Sequence, residues 1–215
     1  MSADTGTAPA LGEPLAVDVS FALCGATVPL AYRRPLAAAL TAHLPWLATL
    51  PQAAVHRLKL AGTSEGRGLL SRRTRLVLRL PLSHATAAQA LQGQTLDVAG
   101  TPLAVGEARI SALKPWGTLY AHLVVAAGAG AAEDEAAFLK TVQAQLDAQG
   151  LRARAICGRL QVPEGEALQG HGLMLDGLSA ADAGQVLATG LGPHRLLGCG
   201  VFVPHKSSAA VGAPD

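Results

Sequence analysis

Aromatic residues are scarce: Phe, Tyr and Trp together make up 3% of the 215 residues. A surface that grips single-stranded nucleic acid mainly by stacking bases on rings is therefore not expected. Cysteine is also rare. Cys24, Cys157 and Cys199 are odd in number and widely spaced, with no C-x-x-C and no paired His to complete a zinc site. They read as small buried hydrophobes in a reducing cytosol. No apolar run approaches the roughly 18 residues of a membrane span. The N-terminus, M-S-A-D-T-G-T-A-P-A-L-G-E-P, lacks the basic-then-apolar order of a secretory signal. A cytoplasmic protein without membrane contact is expected. G-x-S-x-G, G-x-x-x-x-G-K-[ST] and H-E-x-x-H are all missing, which removes the common hydrolase, NTPase and zinc-protease readings. No tight carboxylate cluster offers to hold a catalytic Mg²⁺, so neither metal nor cofactor is expected.

What the chain does have is apolar mass, half of all residues, supplied by Leu, Val and Ala. Its length suits one large domain or two of roughly 90 to 100 residues. The formal net charge is only +2, but its distribution is uneven. Arg57, Lys59, Arg67, Arg72, Arg73, Arg75 and Arg79 face the single acid Glu65 within one short stretch. Such a stretch fits either a solvated face or contact with a phosphate backbone.

The chain repeats itself. L-S-H-A-T-A-A-Q-A-L (Leu82 to Leu91) matches L-S-A-A-D-A-G-Q-V-L (Leu178 to Leu187) without a gap. Each copy opens with Ser as an N-cap (Ser83, Ser179) and closes at Gly (Gly93, Gly190). The segments before them correspond as well. Strands are expected at Ala16 to Cys24 and Thr118 to Ala126, where apolar and small or polar residues alternate. Helices follow at Arg33 to Leu47, with Leu36, Leu40 and Leu47 on one face, and at Glu133 to Gln149, with Leu139, Val142 and Leu146 in register. Second strands run from Val55 to Leu60 and from Arg152 to Val162. Each half thus reads β-α-β-β-α-β, and the fold expected is α+β, two tandem ferredoxin-like units. The units span residues 14–112 and 113–206, between disordered ends at 1–13 and 207–215.

Two features offer chemistry. Arg72 to Leu80 reads as a strand with Leu76, Leu78 and Leu80 on the core face. Arg73, Arg75 and Arg79 share its other face, which lies open or meets the second unit. Near the C-terminus G-L-G-P-H-R-L-L-G-C-G (Gly190 to Gly200) sets two glycine pairs around His194 and Arg195. Backbone N–H groups and a guanidinium there read as a phosphate cradle.

These residues together resemble the CRISPR-associated repeat-RNA-processing endoribonucleases of the RAMP superfamily, the Cas six family, in a compact branch. The similar stretches are L-S-R-R-T-R-L-V-L-R-L-P (Leu70 to Pro81), F-L-K-T-V-Q-A-Q-L-D-A-Q-G (Phe138 to Gly150) and G-L-G-P-H-R-L-L-G-C-G-V-F-V-P (Gly190 to Pro204). A-L-K-P-W-G-T-L-Y-A-H-L-V (Ala112 to Val124) fits the start of the second unit. The resemblance implies cleavage of a precursor transcript within its repeat, usually at the base of a stem-loop and without metal. The RNA 2′-OH attacks the adjacent phosphate, leaving a 2′,3′-cyclic phosphate and a 5′-OH. The product is often kept for a CRISPR effector complex.

The reaction needs a base, an acid and a cation at the phosphorane. His56 is the first choice for the base, because it opens V-H-R-L-K-L where compact members carry a V-H-P-like element. Arg57 stands in place of that proline, and Lys59 follows as a cation. His43 is the rival, on the first helix near its leucine stripe. Tyr32 sits where compact members tend to have a histidine. Arg72, Arg73, Arg75, Arg79, Gly190, Gly192, His194, Arg195, Gly198 and Gly200 form the expected RNA-binding set, with the cut placed across the molecule at His56. His84, His122, His171 and His205 show no partner spacing and are assigned no chemistry. Two other readings stay open: a non-catalytic RNA-binding subunit of a CRISPR effector complex, and a cytosolic tandem ferredoxin-like protein that binds a ligand or joins an assembly.

Overall fold

In the first strand, β1 (Ala16–Cys24), every second residue is apolar. Val17, Val19, Phe21 and Leu23 are buried on one face, while Asp18, Ser20 and Ala22 take the other. The structure, a computed structural model, describes residues 16–126 and 134–206. The chain continues through β2 (Thr27–Pro29), α1 (Arg33–His43), β3 (Ala54–Val55), β4 (Gly62–Ser64), β5 (Arg67–Leu69), β6 (Arg75–Pro81), α2 (Ala85–Ala88), β7 (Thr95–Val98) and β8 (Thr101–Ala112). The second half follows as β9 (Thr118–Val124), α3 (Glu135–Ala148), β10 (Arg154–Gln161), β11 (Gly170–Asp176), α4 (Ala180–Thr189) and β12 (Phe202–Pro204).

The strands form a five-stranded sheet ordered β3-β6-β1-β8-β7 and a four-stranded sheet ordered β10-β11-β9-β12. A small third sheet, β2-β5-β4, projects from the first half. With the edge strand β7 set aside, both larger sheets place the four strands of a β-α-β-β-α-β unit in the same antiparallel order, second, third, first, fourth. The fold is a tandem of ferredoxin-like units. The strand order follows from the sequence pattern, because each apolar face must be covered by the helices that interrupt the strands. In the first sheet Val17 pairs with Leu80, Val19 with Leu78 and Phe21 with Leu76. Leu36, Leu40, Leu44 and Leu47 close over that face. In the second, Leu119, Ala121, Leu173, Leu175 and Phe202 meet Phe138, Val142 and Leu146 of α3 and Val186 and Leu187 of α4.

Several expected elements are shorter than their sequence pattern. The helix from Arg33 ends at His43, and Pro45–Thr49 continues as a 3₁₀ turn. Of the expected second strand, Val55 to Leu60, only Val55 is paired as strand, together with Ala54 before it. Arg72 and Arg73 lie in a turn before β6, where Thr74 Oγ1 accepts from the Ser71 N–H and donates to the Lys59 carbonyl. The Leu82 to Leu91 segment alternates 3₁₀ and α turns. Ser83 caps nothing, since its hydroxyl pairs with His84 Nδ1, whereas Ser179 does accept the Asp182 N–H as an N-cap. Helix α3 is capped by Asp134, and the expected start at Glu133 lies outside the described residues, as do the expected disordered ends. Of the cysteines, Cys199 is buried, but Cys24 is exposed and Cys157 only half-buried.

Polar groups join the two units. Helix α1 has no side-chain cap of its own. The Arg33 N–H donates instead to Glu166 Oε1 at 2.8 Å, from the connection between β10 and β11. Helix α4 packs against β1 and β6 on the polar face of the first sheet. Among the described residues no helix is long and apolar enough to cross a membrane.

Candidate active site

His56 follows β3, and its N–H donates to the Val77 carbonyl at 2.9 Å, so the backbone still runs beside β6. Its side chain turns to the polar face of the sheet. There the register sets Asp18 opposite Arg79. Arg79 grips Asp18 as a fork, Nε to Oδ1 at 2.8 Å and Nη2 to Oδ2 at 3.0 Å. His56 Nε2 lies 3.3 Å from the same Oδ1. Burial alone would raise the Asp18 pKa, but hydrogen bonds from His56 and Arg79 and the Arg79 charge outweigh it and hold the carboxyl well below its ordinary value. The His56 pKa is lowered as well, which for an imidazole favours the neutral form. Burial disfavours its charged form, Arg79 and Arg195 add to that, and Asp18 offsets only part, so its pKa is lowered and the ring is neutral at neutral pH.

The remaining open side of His56, 16% exposed, faces a cleft of about 90 Å³. Its walls are His56, Arg57, Tyr120, His122, Gly198, Val201 and Val203. Both units contribute. Tyr120 and His122 are every-second residues of β9, on the face away from the α3–α4 core. The His122 pKa is also lowered, by burial first and then by the Arg57 and Arg33 charges.

The glycine-rich segment forms one wall rather than a separate surface. A Cβ on Gly198 would stand 3.2 Å from the Val55 carbonyl oxygen and 3.3 Å from the Arg57 nitrogen, so the segment rests directly on the chain that carries His56. Arg33 Nη1 donates to the Leu197 carbonyl at 2.6 Å. Arg195 donates to the carbonyls of Gln52 and Ala188, both at 3.1 Å, and of Gly200 at 3.4 Å. Burial and the nearby Arg79 charge lower its pKa to about 10. The expected separation of loop and cut is therefore corrected: the loop and His56 share one cleft.

The other expected site residues divide. Arg79 was expected on a face that is open or meets the second unit. It meets the second unit, 1% exposed, and Nη1 donates to the carbonyls of Leu187 at 3.2 Å and Phe202 at 2.5 Å. Its guanidinium is taken up inside the protein and is not free to bind a backbone phosphate as expected, whereas Arg195 is half-buried and its Nε has no hydrogen-bond partner among the described residues. Arg72, Arg73 and Arg75 are exposed, as are Arg57 and Lys59, and the Lys59 carbonyl accepts from Thr74 of the same turn. Gly190, Gly192 and Gly200 shape the loop interior, while His194 is exposed beside a groove of about 390 Å³.

His43 ends α1 and is exposed, away from the leucine stripe, whose next place belongs to Leu44. Tyr32 is 6% exposed, and its hydroxyl accepts the Leu58 N–H at 2.9 Å. Burial raises its pKa. It positions the segment after His56 rather than facing the cleft. Tyr32→Phe leaves that buried N–H without its acceptor and costs about 1–3 kcal/mol of stability, to be read from the shift of the urea midpoint.

Asp18, Tyr120 and His122 escaped the sequence reading. Their only sequence signal is position, as polar residues in alternation on β1 and β9. Among the described residues no group of three or more His, Cys, Asp or Glu side chains could hold a metal ion.

Residues 17–207 match the family model described as Cas6 Crispr. The chain is 35% identical over 198 residues to the CRISPR-associated endonuclease Cas6 of Myxococcus xanthus (strain DK1622), covering 91% of this chain and 84% of that protein. A solved CRISPR-associated protein Cas6 superposes with a TM-score of 0.61 at 11% identity, covering 89% of this chain and all of the other (100%). A solved RAMP protein that binds different RNA substrates gives a TM-score of 0.57 at 12% identity, over 87% of this chain and 98% of its own.

Proposed function

The chain belongs to the Cas6 family of CRISPR-associated proteins, and from that premise we propose that it is a metal-independent endoribonuclease that cuts CRISPR precursor transcripts within the repeat. The observation that carries this reading is the cleft itself, with two imidazoles and a guanidinium converging from both units. The relative from M. xanthus is itself a CRISPR-associated endonuclease.

The tautomer of His56 supports its role as the base. Nε2 of His56 donates to Asp18, so the lone pair of the neutral ring is on Nδ1. His56 takes the proton from the RNA 2′-OH, and that oxygen forms a bond to the adjacent phosphorus. Arg57 stabilises the charge that builds on the non-bridging oxygens. The P–O5′ bond breaks, leaving a 2′,3′-cyclic phosphate, and the 5′ oxygen takes a proton from His122. Burial first, and then the Arg57 and Arg33 charges, lower the His122 pKa in the free protein. An RNA phosphate beside His122 offsets those cations and favours its protonated form.

Arg72, Arg73, Arg75 and Lys59 offer exposed cations to the RNA backbone outside the cleft, and the exposed His194 a further contact beside the second groove. Shape and backbone contacts of this kind suit a repeat stem-loop. The product would stay bound for transfer to effector-complex subunits in the cytoplasm.

Wild-type protein is expected to cleave its cognate repeat RNA at one position in EDTA, with products that carry a 2′,3′-cyclic phosphate and a 5′-OH by mass spectrometry. Binding without cleavage would make the protein an RNA-binding subunit. No binding even at low salt, where phosphate contacts strengthen, would remove both readings.

A further inference from the structure

The carboxylate of Asp18 serves three donors from two elements: Nε and Nη2 of Arg79 on β6, and Nε2 of His56 after β3. Arg79 in turn reaches across to the second unit, where it donates to the Leu187 carbonyl at the end of α4 and to the Phe202 carbonyl at the start of β12. The two carbonyls, the guanidinium, the carboxylate and the imidazole form one continuous chain from the second unit to the cleft.

We propose that Asp18 is the positioning residue for His56, fixing its ring and tautomer through Nε2, and that Arg79 makes this positioning depend on the docking of the second unit. The inference rests on the reading of His56 as the base, but adds what orients it. An imidazole with only one cleft-facing side needs a fixed partner on the other to present the same nitrogen at every encounter. A carboxylate held by a bidentate arginine cannot swing away to follow solvent. The arginine itself is anchored to α4 and β12, so a displaced second unit releases Asp18 and with it His56. The cleft and its base are then complete only in the docked arrangement.

The other charged and titratable groups around His56 are few. Arg195 approaches from the loop after α4, Arg57 from the same segment, and Tyr120 and His122 from β9. Asp18 is the one anion among them and raises the His56 pKa, whereas Arg79 and Arg195 lower it. The signs therefore separate two substitutions. Asp18→Asn removes an anion and moves the His56 titration to lower pH. Arg79→Gln removes a cation and moves it to higher pH.

The test is a titration of the His56 imidazole by NMR without RNA, for wild type, Asp18→Asn, Arg79→Gln and Asp18→Glu. Single-turnover cleavage of the cognate repeat across about pH 5–9 accompanies it. The expected result is opposite shifts of about one pH unit for Asp18→Asn and Arg79→Gln, with the acid limb of the rate profile following each. The plateau rate of Asp18→Asn falls at least about tenfold with unchanged affinity for the repeat. Asp18→Glu keeps the charge and loses the placement, so it lowers the rate while His56 titrates near its wild-type pH. Shifts of the same sign in folded Asp18→Asn and Arg79→Gln, or a His56 titration that neither moves, overturn the proposal. If Asp18→Asn does not fold, Asp18→Glu and Arg79→Gln decide it by the same two readouts. If the titrations shift as stated but the rate limb stays fixed, the positioning stands and the assignment of His56 as the base falls instead.

Discussion

His56→Ala lowers the single-turnover rate of repeat cleavage by about 10²–10⁴-fold, the usual contribution of one well-placed proton-transfer group, and leaves binding of the repeat intact. The substitution removes a ring that borders the cleft and touches none of the exposed cations outside it. Asp18 keeps both of its hydrogen bonds from Arg79, so the joint between the units survives. Loss of binding alongside cleavage would show instead that His56 shapes the RNA surface. The neighbouring histidines give a graded control. His122→Ala is expected to slow the reaction and to remove the alkaline limb of its pH profile, because the acid is lost. His43→Ala is expected to cleave like wild type, since that ring stands exposed at the end of α1. A full rate from His56→Ala together with an inactive His122→Ala would transfer the base to β9.

Why the sequence singled out His56 but not the side chains the structure sets around it is a matter of range. Strict alternation over Ala16 to Cys24, the leucine stripe of α1 and the Ser179 cap are local signals, and a local pattern in the sequence is enough to read them. The duplication then supplied the order of the strands. His56 came from resemblance to a family motif. Asp18 and Arg79 are 61 residues apart and pair only because β1 and β6 are adjacent in antiparallel register. Alternation places each on a polar face, yet it cannot say that α4 will cover that face and turn a solvent-facing arginine into an internal joint. Tyr120 and His122 lie on the polar side of β9 for the same reason, and become a site only when the first unit brings His56 and Arg57 opposite them. The helix from Arg33 gives way at Pro45, and at two other shortened segments side chains compete with the backbone. Thr74 ties the turn before β6 to Lys59, and Ser83 spends its hydroxyl on His84.

Gly200→Ala is expected to destabilise the fold by about 3–5 kcal/mol, at the upper end for one substitution and a large share of the roughly 5–15 kcal/mol that holds a domain together. Gly200 has φ of +63°, and a Cβ there would fall 1.8 Å from the Leu191 carbonyl oxygen. The left-handed backbone costs an alanine about 1–2 kcal/mol by itself. The overlap is with the backbone of Leu191, so residues 191 and 200 must separate. That breaks the bond from the Gly200 N–H to the Leu123 carbonyl at 2.8 Å, just before β12 brings the fully buried Phe202 against Ala121 of β9. Gly198→Ala separates stability from activity at the same loop. Its φ is +78°, but its contacts are looser, 2.9 Å to Nη1 of Arg33, 3.2 Å to the Val55 oxygen and 3.3 Å to the Arg57 nitrogen. The chain that yields is the one that carries His56. Gly198→Ala should therefore cost only about 1–2 kcal/mol in urea unfolding, yet slow cleavage about tenfold or more through displacement of the base. A phosphate cradle predicts the other order. Both alanines would then weaken RNA binding, and the salt dependence of binding would flatten. Retention of affinity and salt slope by Gly198→Ala, with loss of rate, would mark these glycines as places of close approach that hold His56 against the second unit.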